Sequence, residues 1–355
     1  MPSKAEKERE ARALARKKEA EKKDKERKEK EAKIKKRLES HQAVTIKARV
    51  DMIKHGVIVE VLNTVQAKLA QEAGFNAICP YDYPQAVINK MGNPLTSDPR
   101  VVRDMINSVV IPVMAKVRVG HIIEAQMAEH LGANIIDESN YTTKLMTKHM
   151  SKRGFKVPFI CAVETLEDCF RRIEEGATML RNREPYGKSF AHTITAIRTI
   201  YNSLRALKIS DADLAAVAKA DAAAAAATAD GANKAITLSS DVMAAKVAIR
   251  AKEEFLQKFT NLDTQEMIKK AINKGELPVP FYGYGSICTP NDVAMLRKMG
   301  CGAIISNIAF RADNPRRRLK KLVEASTCYN NAGKMAELSI GTNEQPIVAT
   351  VRPMF

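Results

Sequence analysis

Eight short runs of β-favouring residues recur along the chain from Val57 onward, and helical patterns separate them. Short runs rich in apolar and β-branched residues are typical of buried strands. The runs are VIVEVL from Val57, NAICP from Asn76, IPVMAKV from Ile111, ANIID from Ala133, VPFICAV from Val157, ATMLR from Ala177, VPFYGYG from Val279 and GAIISN from Gly302. We therefore predict eight strands in this part of the chain.

Helical patterns lie between these strands. Examples extend from Thr64 to Ala73, from Ile122 to Leu131, from Leu166 to Glu175 and from Asn291 to Met299. A strand followed by a helix, repeated eight times, is the pattern of a closed parallel barrel. The predicted fold class is therefore α/β, a (β/α)8 barrel of the TIM-barrel type. An open, doubly wound parallel sheet is the alternative.

One segment interrupts the alternation of strands and helices. Residues from about 208 to 270 lie between the sixth helix and the seventh strand, and they include the alanine run from Ala222 to Ala227. Alanine favours helix but offers little apolar area for packing. We predict inserted helices or a flexible excursion, in either case a weakly packed surface element.

The start of the chain has a different composition. Residues 1 to about 40 are mainly Lys, Arg, Glu and Ala, so this segment cannot bury a core and forms either a solvated helix or a disordered tail. We assign residues 1–44 to a basic tail, 45–340 to the barrel with its insertion, and 341–355 to a C-terminal extension. The tail either has no specific target or binds an acidic surface, such as RNA, a ribonucleoprotein or an acidic protein tail.

Composition narrows the possible classes of protein. The chain has 355 residues, 45% of them hydrophobic, which is enough for one barrel with additional segments. The formal net charge is +17, but much of it lies in the tail and in Arg316–Arg318, so a basic nucleic-acid surface over the whole fold is not required. No run of 18 apolar residues is present, and we expect a cytoplasmic protein without a membrane span. The six cysteines are scattered, which predicts neither disulfides nor a metal site.

In a barrel of this type, side chains at the carboxyl ends of the strands converge on one opening. Glu60 ends strand one, Lys116 ends strand three, and Asp137 with Glu138 ends strand four. A lysine beside carboxylates in such a place is unusual, because a buried ammonium group is costly unless it is paired or neutralised. Partial desolvation would lower the pKa of Lys116 and make it a nucleophile toward a sugar carbonyl. The alternative is a structural ion pair between this lysine and an aspartate.

Several stretches resemble one enzyme family, the lyase subunit of pyridoxal 5'-phosphate synthase. The most specific stretch runs from Pro112 to His121 (PVMAKVRVGH) and is followed by IDES from Ile136. The further matches are QAKLA from Gln66, PFIC from Pro158, RRI from Arg171, EGA from Glu175, TP from Thr289 with Asp292, and DNP from Asp313. The resemblance extends from about residue 46 to about residue 340, apart from the insertion.

The resemblance implies an activity and a set of partners. Members of the family condense a pentose 5-phosphate with glyceraldehyde 3-phosphate and with ammonia that a partner glutaminase supplies. Lys116 corresponds to the lysine that forms a Schiff base with the pentose, and Asp137 corresponds to the strand-four carboxylate. No prosthetic group is expected, since pyridoxal 5'-phosphate would be the product. The family's barrels form hexameric rings, so we expect an oligomer with related barrels.

Two positions in the catalytic pattern depart from the family. Glu60 replaces an aspartate on strand one and is longer by one methylene, which matters for a step that depends on close positioning. Arg183 stands where the resemblance places a second, imine-forming lysine after strand six. A guanidinium group stays protonated and cannot form an imine, so this exchange keeps the charge but removes the chemistry. Lys188 lies nearby, but the loop would have to shift for it to substitute.

The phosphate-binding turns of the family are also altered. Gly187 lies in the changed turn after strand six, Gly285 and Ser286 replace paired glycines after strand seven, and Ser306 with Asn307 replaces a Gly-Ser pair after strand eight. A Cβ at such positions narrows the cradle of backbone N–H groups around a phosphate. Tyr201 stands where an arginine is expected on the following helix.

These departures lead to two hypotheses. The favoured one is a catalytically impaired homologue, a pseudoenzyme that acts as a structural or regulatory subunit of a larger assembly. When catalytic groups act as a unit, the loss of one of them removes most of the activity. The alternative is an active synthase subunit that works through a Lys116 Schiff base.

Overall fold

The computed structural model describes residues 42–81, 97–140, 148–183, 189–229 and 239–342. The basic tail, the C-terminal extension and Gly187 fall outside these ranges, except for residues 42–44 and 341–342. The chain divides into two compact units, Met1–Arg49 and Val50–Phe355. Of the first unit only residues 42–49 are described, and they are helical.

Eight parallel strands form a barrel, which confirms the predicted fold class. The strands are β1 Val57–Val61, β2 Ala77–Pro80, β3 Met114–Arg118, β4 Ile135–Asn140, β5 Phe159–Val163, β6 Met179–Asn182, β7 Phe281–Tyr284 and β8 Gly302–Ile305. They pair in the order β2-β1-β8-β7-β6-β5-β4-β3. A parallel bridge between Ile78 and Val113 joins β2 to β3 and closes the ring.

Helices follow the strands along the chain. Their bounds are Thr64–Ala73, Pro99–Ser108, Ile122–Leu131, Leu166–Glu174, Phe190–Ala206, Asp211–Ala229, Ser240–Gln257, Leu262–Lys274, Pro290–Lys298, Pro315–Cys328 and Ala332–Ser339, with a 3-10 helix at Asn307–Arg311. Residues 42–53 are helical as well. Within the described ranges, no helix is long and apolar enough to cross a membrane.

Local signals fix where several helices begin and end. Thr165 and Thr289 each cap a helix in a capping box, in which the threonine and an aspartate three residues later bond to each other's backbone N–H. Gly74 and Gly132 end two other helices with φ values of 92° and 95°, a conformation that glycine adopts without a steric penalty. These signals explain why the helix bounds agree closely with the predicted ones.

Alternation along the strands separates two apolar layers. Residues such as Val57 and Val59 face the helices, whereas Ile58, Met114 and Ile135 belong to a smaller cluster inside the barrel. Because successive side chains on a strand point to opposite faces, the residue two positions after each interior residue lies one layer closer to the carboxyl end of the barrel. This opening is called the barrel mouth below.

The predicted insertion is helical, and its parts pack differently. Among the described side chains of Asp211–Ala229 and Ser240–Gln257, Val217 and Ala245 are the buried ones. The helix Leu262–Lys274 instead buries residues such as Ile268 in the main core. Alanine-rich sequence therefore forms helix here, while larger apolar side chains at helical spacing determine which helix joins the barrel wall. The six cysteines all lie in the described ranges, and none of them forms a disulfide.

Candidate functional site

Among the described residues, five charged or tyrosine side chains lie in the layer next to the apolar interior, toward the carboxyl ends of the strands. They are Glu60, Lys116, Asp137, Arg181 and Tyr284, and we call them the mouth cluster. Each lies two positions after an interior residue of its own strand: Ile58, Met114, Ile135, Met179 and Tyr282. The period of two along a strand therefore brings these five groups together from five different strands.

Lys116 makes the central contact of the mouth cluster. Its Nζ bonds to Oε1 of Glu60 and lies 3.3 Å from the hydroxyl of Tyr284. The same hydroxyl donates a hydrogen bond of 2.9 Å to Oε1 of Glu60. The Lys116 ammonium also lies 5.1 Å from the ring centroid of Tyr81 and 5.0 Å from that of Tyr284. Two aromatic faces and one carboxylate therefore surround this ammonium group.

These contacts hold Lys116 in its charged form. Burial by itself would lower the pKa, but the Glu60 carboxylate, together with Tyr284, Cys79 and Asp137, raises it well above 10.5. The expectation that desolvation would lower the pKa of this lysine is therefore wrong for this arrangement. The sequence could not reveal this, because the outcome depends on how closely a carboxylate approaches Nζ.

Asp137 is adjacent to Lys116 in the strand pairing, yet its ion pair is with another residue. The Nε atom of Arg181 lies 3.4 Å from both carboxylate oxygens of Asp137. Both side chains are almost completely buried, at 5% and 0% exposure. The Arg181 guanidinium group lies over the Tyr284 ring, 4.2 Å from its centroid. The mouth cluster therefore contains two neighbouring ion pairs with one tyrosine between their cations.

The remaining predicted residues occupy different places. Arg183 lies at the rim, where its side chain is 40% exposed and pairs with Glu164 at 3.0 Å. Asn307 donates hydrogen bonds to Gln66 Oε1 at 2.6 Å and to the carbonyl oxygen of Glu60 at 3.3 Å. Asn307 thus holds the loop after β1 in place. Tyr201 packs between helix and sheet, with its ring 6.3 Å from that of Phe281, and lies away from the mouth.

The turn after β7 keeps a glycine-like backbone. Gly285 has a φ of 112°, and Ser286 has a φ of 44°, in the left-handed region that disfavours residues with a Cβ. The Ser306 hydroxyl is buried, and among the described residues it has no hydrogen-bond partner. Because Gly187 lies outside the described residues, its predicted role stays a prediction.

A second buried polar group lies on the opposite face of β4. Glu138, His149 and Cys161 bring possible ligand atoms within 4.8 Å of one another. The Lys152 ammonium, however, already lies 2.7 Å from Glu138 Oε2 and 2.6 Å from Glu175 Oε2. A metal cation bound to Glu138 would face this positive charge at close range. The group, which we call the Glu138 cluster, is therefore best described as an ion-pair network.

Sequence reasoning missed two members of the mouth cluster. Arg181 and Tyr284 come two positions after the interior residues Met179 and Tyr282, so strict alternation along β6 and β7 would have identified both. The partner of Asp137 could not be read in this way, because several strand ends converge on the same space.

Comparison with known proteins gives a consistent result. A family model described as the SOR/SNZ family matches residues 43–245. The pyridoxal 5'-phosphate synthase subunit PdxS of Clostridium botulinum (strain Langeland) is 34% identical over 293 residues, which cover 81% of this chain and 87% of that protein.

Similar proteins also occur in eukaryotes. The pyridoxal 5'-phosphate synthase subunit SNZ1 of Saccharomyces cerevisiae is 34% identical, with 82% of this chain and 87% of the relative covered. The subunit PDX1.1 of Arabidopsis thaliana is 31% identical, with 82% and 84% covered. The matched region therefore includes most of this chain and most of each relative.

Proposed function

The chain belongs to the SOR/SNZ family, and from this premise we propose that it is a catalytically impaired homologue of the pyridoxal 5'-phosphate synthase lyase subunit. In this proposal it acts in the cytoplasm as a structural or regulatory subunit of a larger assembly. Its relatives carry the name of the synthase subunit and are 31–34% identical over most of their length. The impairment concerns the reaction, whereas the barrel itself is retained.

The observation that carries the proposal is the state of Lys116. Imine formation requires a neutral amine that a carbonyl carbon can reach. Glu60 keeps the lysine protonated, and Tyr284 covers it. The reactive form is therefore both rare and inaccessible in this arrangement.

Arg183 supports the same conclusion. The resemblance places a second imine-forming lysine at this position, and a guanidinium group cannot take over that role. Its side chain is paired with Glu164 at the rim. A reaction that needs two lysines in sequence would therefore stop after its first half at most.

The alternative function is an active synthase subunit, with pyridoxal 5'-phosphate as the product rather than a bound prosthetic group. What favours it is that Lys116 and Asp137, the two residues to which the resemblance gives a role, are both present and lie beside each other in the strand pairing. In that case the mouth cluster would have to open for a pentose 5-phosphate.

A direct assay distinguishes the two functions. Purified full-length protein is incubated with ribose 5-phosphate, glyceraldehyde 3-phosphate and an ammonium salt, and pyridoxal 5'-phosphate is measured by its absorbance. We expect no production above that of a Lys116→Ala variant. We also expect Arg183→Lys alone to restore none, because Lys116 remains covered. Steady production by the wild-type protein would refute the impairment.

For partners, we propose association with related barrels and with a glutaminase subunit, while the basic tail binds an acidic surface. Exposed apolar side chains on the barrel, among them Val65, Val110 and Ile123 at 63–91% exposure, support self-association. Analytical ultracentrifugation over a range of protein and salt concentrations tests this. We expect an oligomer, and a monomer under all conditions would contradict self-assembly.

A further inference from the structure

Tyr284 occupies the space next to the one lysine on which the proposed chemistry depends. Its ring lies between two cations, 5.0 Å from Lys116 Nζ and 4.2 Å from the Arg181 guanidinium carbon, each measured to the ring centroid. Its hydroxyl bonds to Glu60. A tyrosine in this place fills the gap between the two ion pairs of the mouth cluster.

The backbone of Tyr284 is held from two sides. Asn182 accepts a hydrogen bond of 2.7 Å from the Tyr284 N–H and donates one of 3.0 Å to the Tyr284 carbonyl oxygen. Thr193 donates a further bond of 2.9 Å to the same oxygen. Both Asn182 and Thr193 are buried. The ring is therefore attached to a fixed segment, and it can leave the lysine only by rotating its own side chain.

The ring stands where a substrate would have to approach. To form an imine, a carbonyl carbon must come within bonding distance of Nζ, and the rest of the sugar phosphate must fit beside it. Around Lys116 Nζ, one direction is taken by Glu60 and two others by the rings of Tyr81 and Tyr284. The Lys116 side chain is 14% exposed, which leaves little room for a pentose phosphate.

We propose that Tyr284 is an internal plug that closes Lys116 to sugar phosphates, so that the ring of this residue blocks access to a lysine that the chain has kept. This inference rests on the proposed function and names the residue responsible for the loss of the first step. The plug acts mainly through the volume of its ring. Its hydroxyl adds a second restraint, because it bonds to the same carboxylate oxygen as the lysine.

The experiment traps the imine directly. Full-length protein is incubated with ribose 5-phosphate and cyanoborohydride, and peptide mass spectrometry gives the fraction of Lys116 that is modified. The variants are Tyr284→Ala, Tyr284→Leu and Tyr284→Phe. Tyr282→Phe is the matched control, since that tyrosine lies on the same strand and its hydroxyl bonds to the Ile53 carbonyl instead. Circular dichroism melting verifies that each variant is folded.

We expect Tyr284→Ala to raise the modified fraction of Lys116 about tenfold or more, because small changes in access to a reacting atom have large effects on rate. Tyr284→Leu retains apolar bulk at a partly buried site and should give a smaller rise, and it decides the question if the alanine variant does not fold. Tyr284→Phe should give the smallest rise, since it keeps the ring. Tyr282→Phe should match the wild type.

Two outcomes would overturn the proposal that Tyr284 closes Lys116 to sugar phosphates. One is folded Tyr284→Ala and Tyr284→Leu protein with trapping no higher than in the wild type. The other is a wild-type protein that already traps ribose 5-phosphate on Lys116 as fast as these variants. The complete assay tests the proposed function separately, because production of pyridoxal 5'-phosphate by the wild type would refute the impairment whatever the trapping of Lys116 shows.

Discussion

A buried lysine and a partly buried lysine of this barrel both make ion pairs with glutamates, yet their surroundings differ. Lys152 in the Glu138 cluster is 1% exposed and lies between two carboxylates, at 2.7 Å from Glu138 and 2.6 Å from Glu175. Lys116 in the mouth cluster is 14% exposed and contacts one carboxylate and two aromatic rings. The Lys152 ammonium group thus has two carboxylates as neighbours, whereas aromatic rings cover part of the Lys116 ammonium group.

The carboxylates differ in the same way. One oxygen of Glu138 accepts backbone N–H groups from Gly120 at 2.9 Å and Met150 at 3.0 Å, while its other oxygen faces Lys152. Among the described residues, the Glu60 side chain bonds to Lys116 and to the hydroxyl of Tyr284. Glu138 thus ties a loop to the sheet, whereas Glu60 makes its bonds within the mouth cluster.

The presence of an ion pair inside the barrel therefore does not show whether its residues have a structural role or a chemical one. The role of an ion pair depends on how many other groups bond to the same carboxylate and on which face of the sheet the pair lies. Glu138 and Asp137 are consecutive in the sequence, yet the alternation of side chains sends them to opposite faces of β4. One of them stabilises the wall, and the other forms part of the mouth.

The largest effect is expected when the Glu138 cluster loses its cation. Lys152→Met should lower the free energy of unfolding by about 3–5 kcal/mol, because it removes the ammonium group from the buried Glu138 carboxylate and leaves that oxygen with His149 at 3.2 Å. Urea unfolding at neutral pH measures this change. A loss of unfolding free energy no larger than that of an ordinary surface substitution would contradict the difference between the two clusters.

Two matched variants calibrate that value. Lys116→Met should cost about 1–3 kcal/mol, since Glu60 lies near the mouth and retains the hydrogen bond from Tyr284. Lys246→Ala removes an exposed ion pair with Asp221 and should cost about 0.5 kcal/mol or less. An equal loss of stability in Lys116→Met and Lys152→Met would show that the two clusters are energetically alike.

A smaller effect is expected from alkaline pH. Because the folded-state pKa of Lys116 is raised well above 10.5, its ion pair stabilises the fold fully below the unfolded-state pKa, and this contribution is lost as the pH rises through the folded-state pKa. Glu60→Gln removes the main group that raises this pKa. We therefore expect the stability difference between wild type and Glu60→Gln to shrink above about pH 10.

Measurement in a Tyr284→Phe background separates the lysine from the neighbouring tyrosine, whose own pKa is raised by burial and by Glu60. Urea unfolding between pH 8 and pH 11 gives the two curves, and Lys152 contributes equally to both. Parallel curves over this whole range would mean that Glu60 does not control the protonation of Lys116.

The sequence alone determined the barrel and the identity of most chemical groups. Eight β-favouring runs with intervening helical patterns specify a closed parallel sheet, because each run buries both faces and each helix covers one. Glu60, Lys116 and Asp137 were predicted to end their strands, and they lie one to three residues before the last residues of β1, β3 and β4, in the layer where the fold brings them together. Local capping residues such as Thr165 and Thr289 placed helix starts within one or two residues of the predicted ones.

Only the tertiary structure decided which of these groups are partners. The pairing of Asp137 with Arg181, the rise of the Lys116 pKa and the position of Tyr284 over both cations depend on distances between five strands. Electrostatic energies vary steeply with separation and burial, and neither can be read from the order of residues along the chain. The sequence pattern therefore predicts that Lys116 is a nucleophile, whereas the structure shows a charged ammonium group that neighbouring side chains cover.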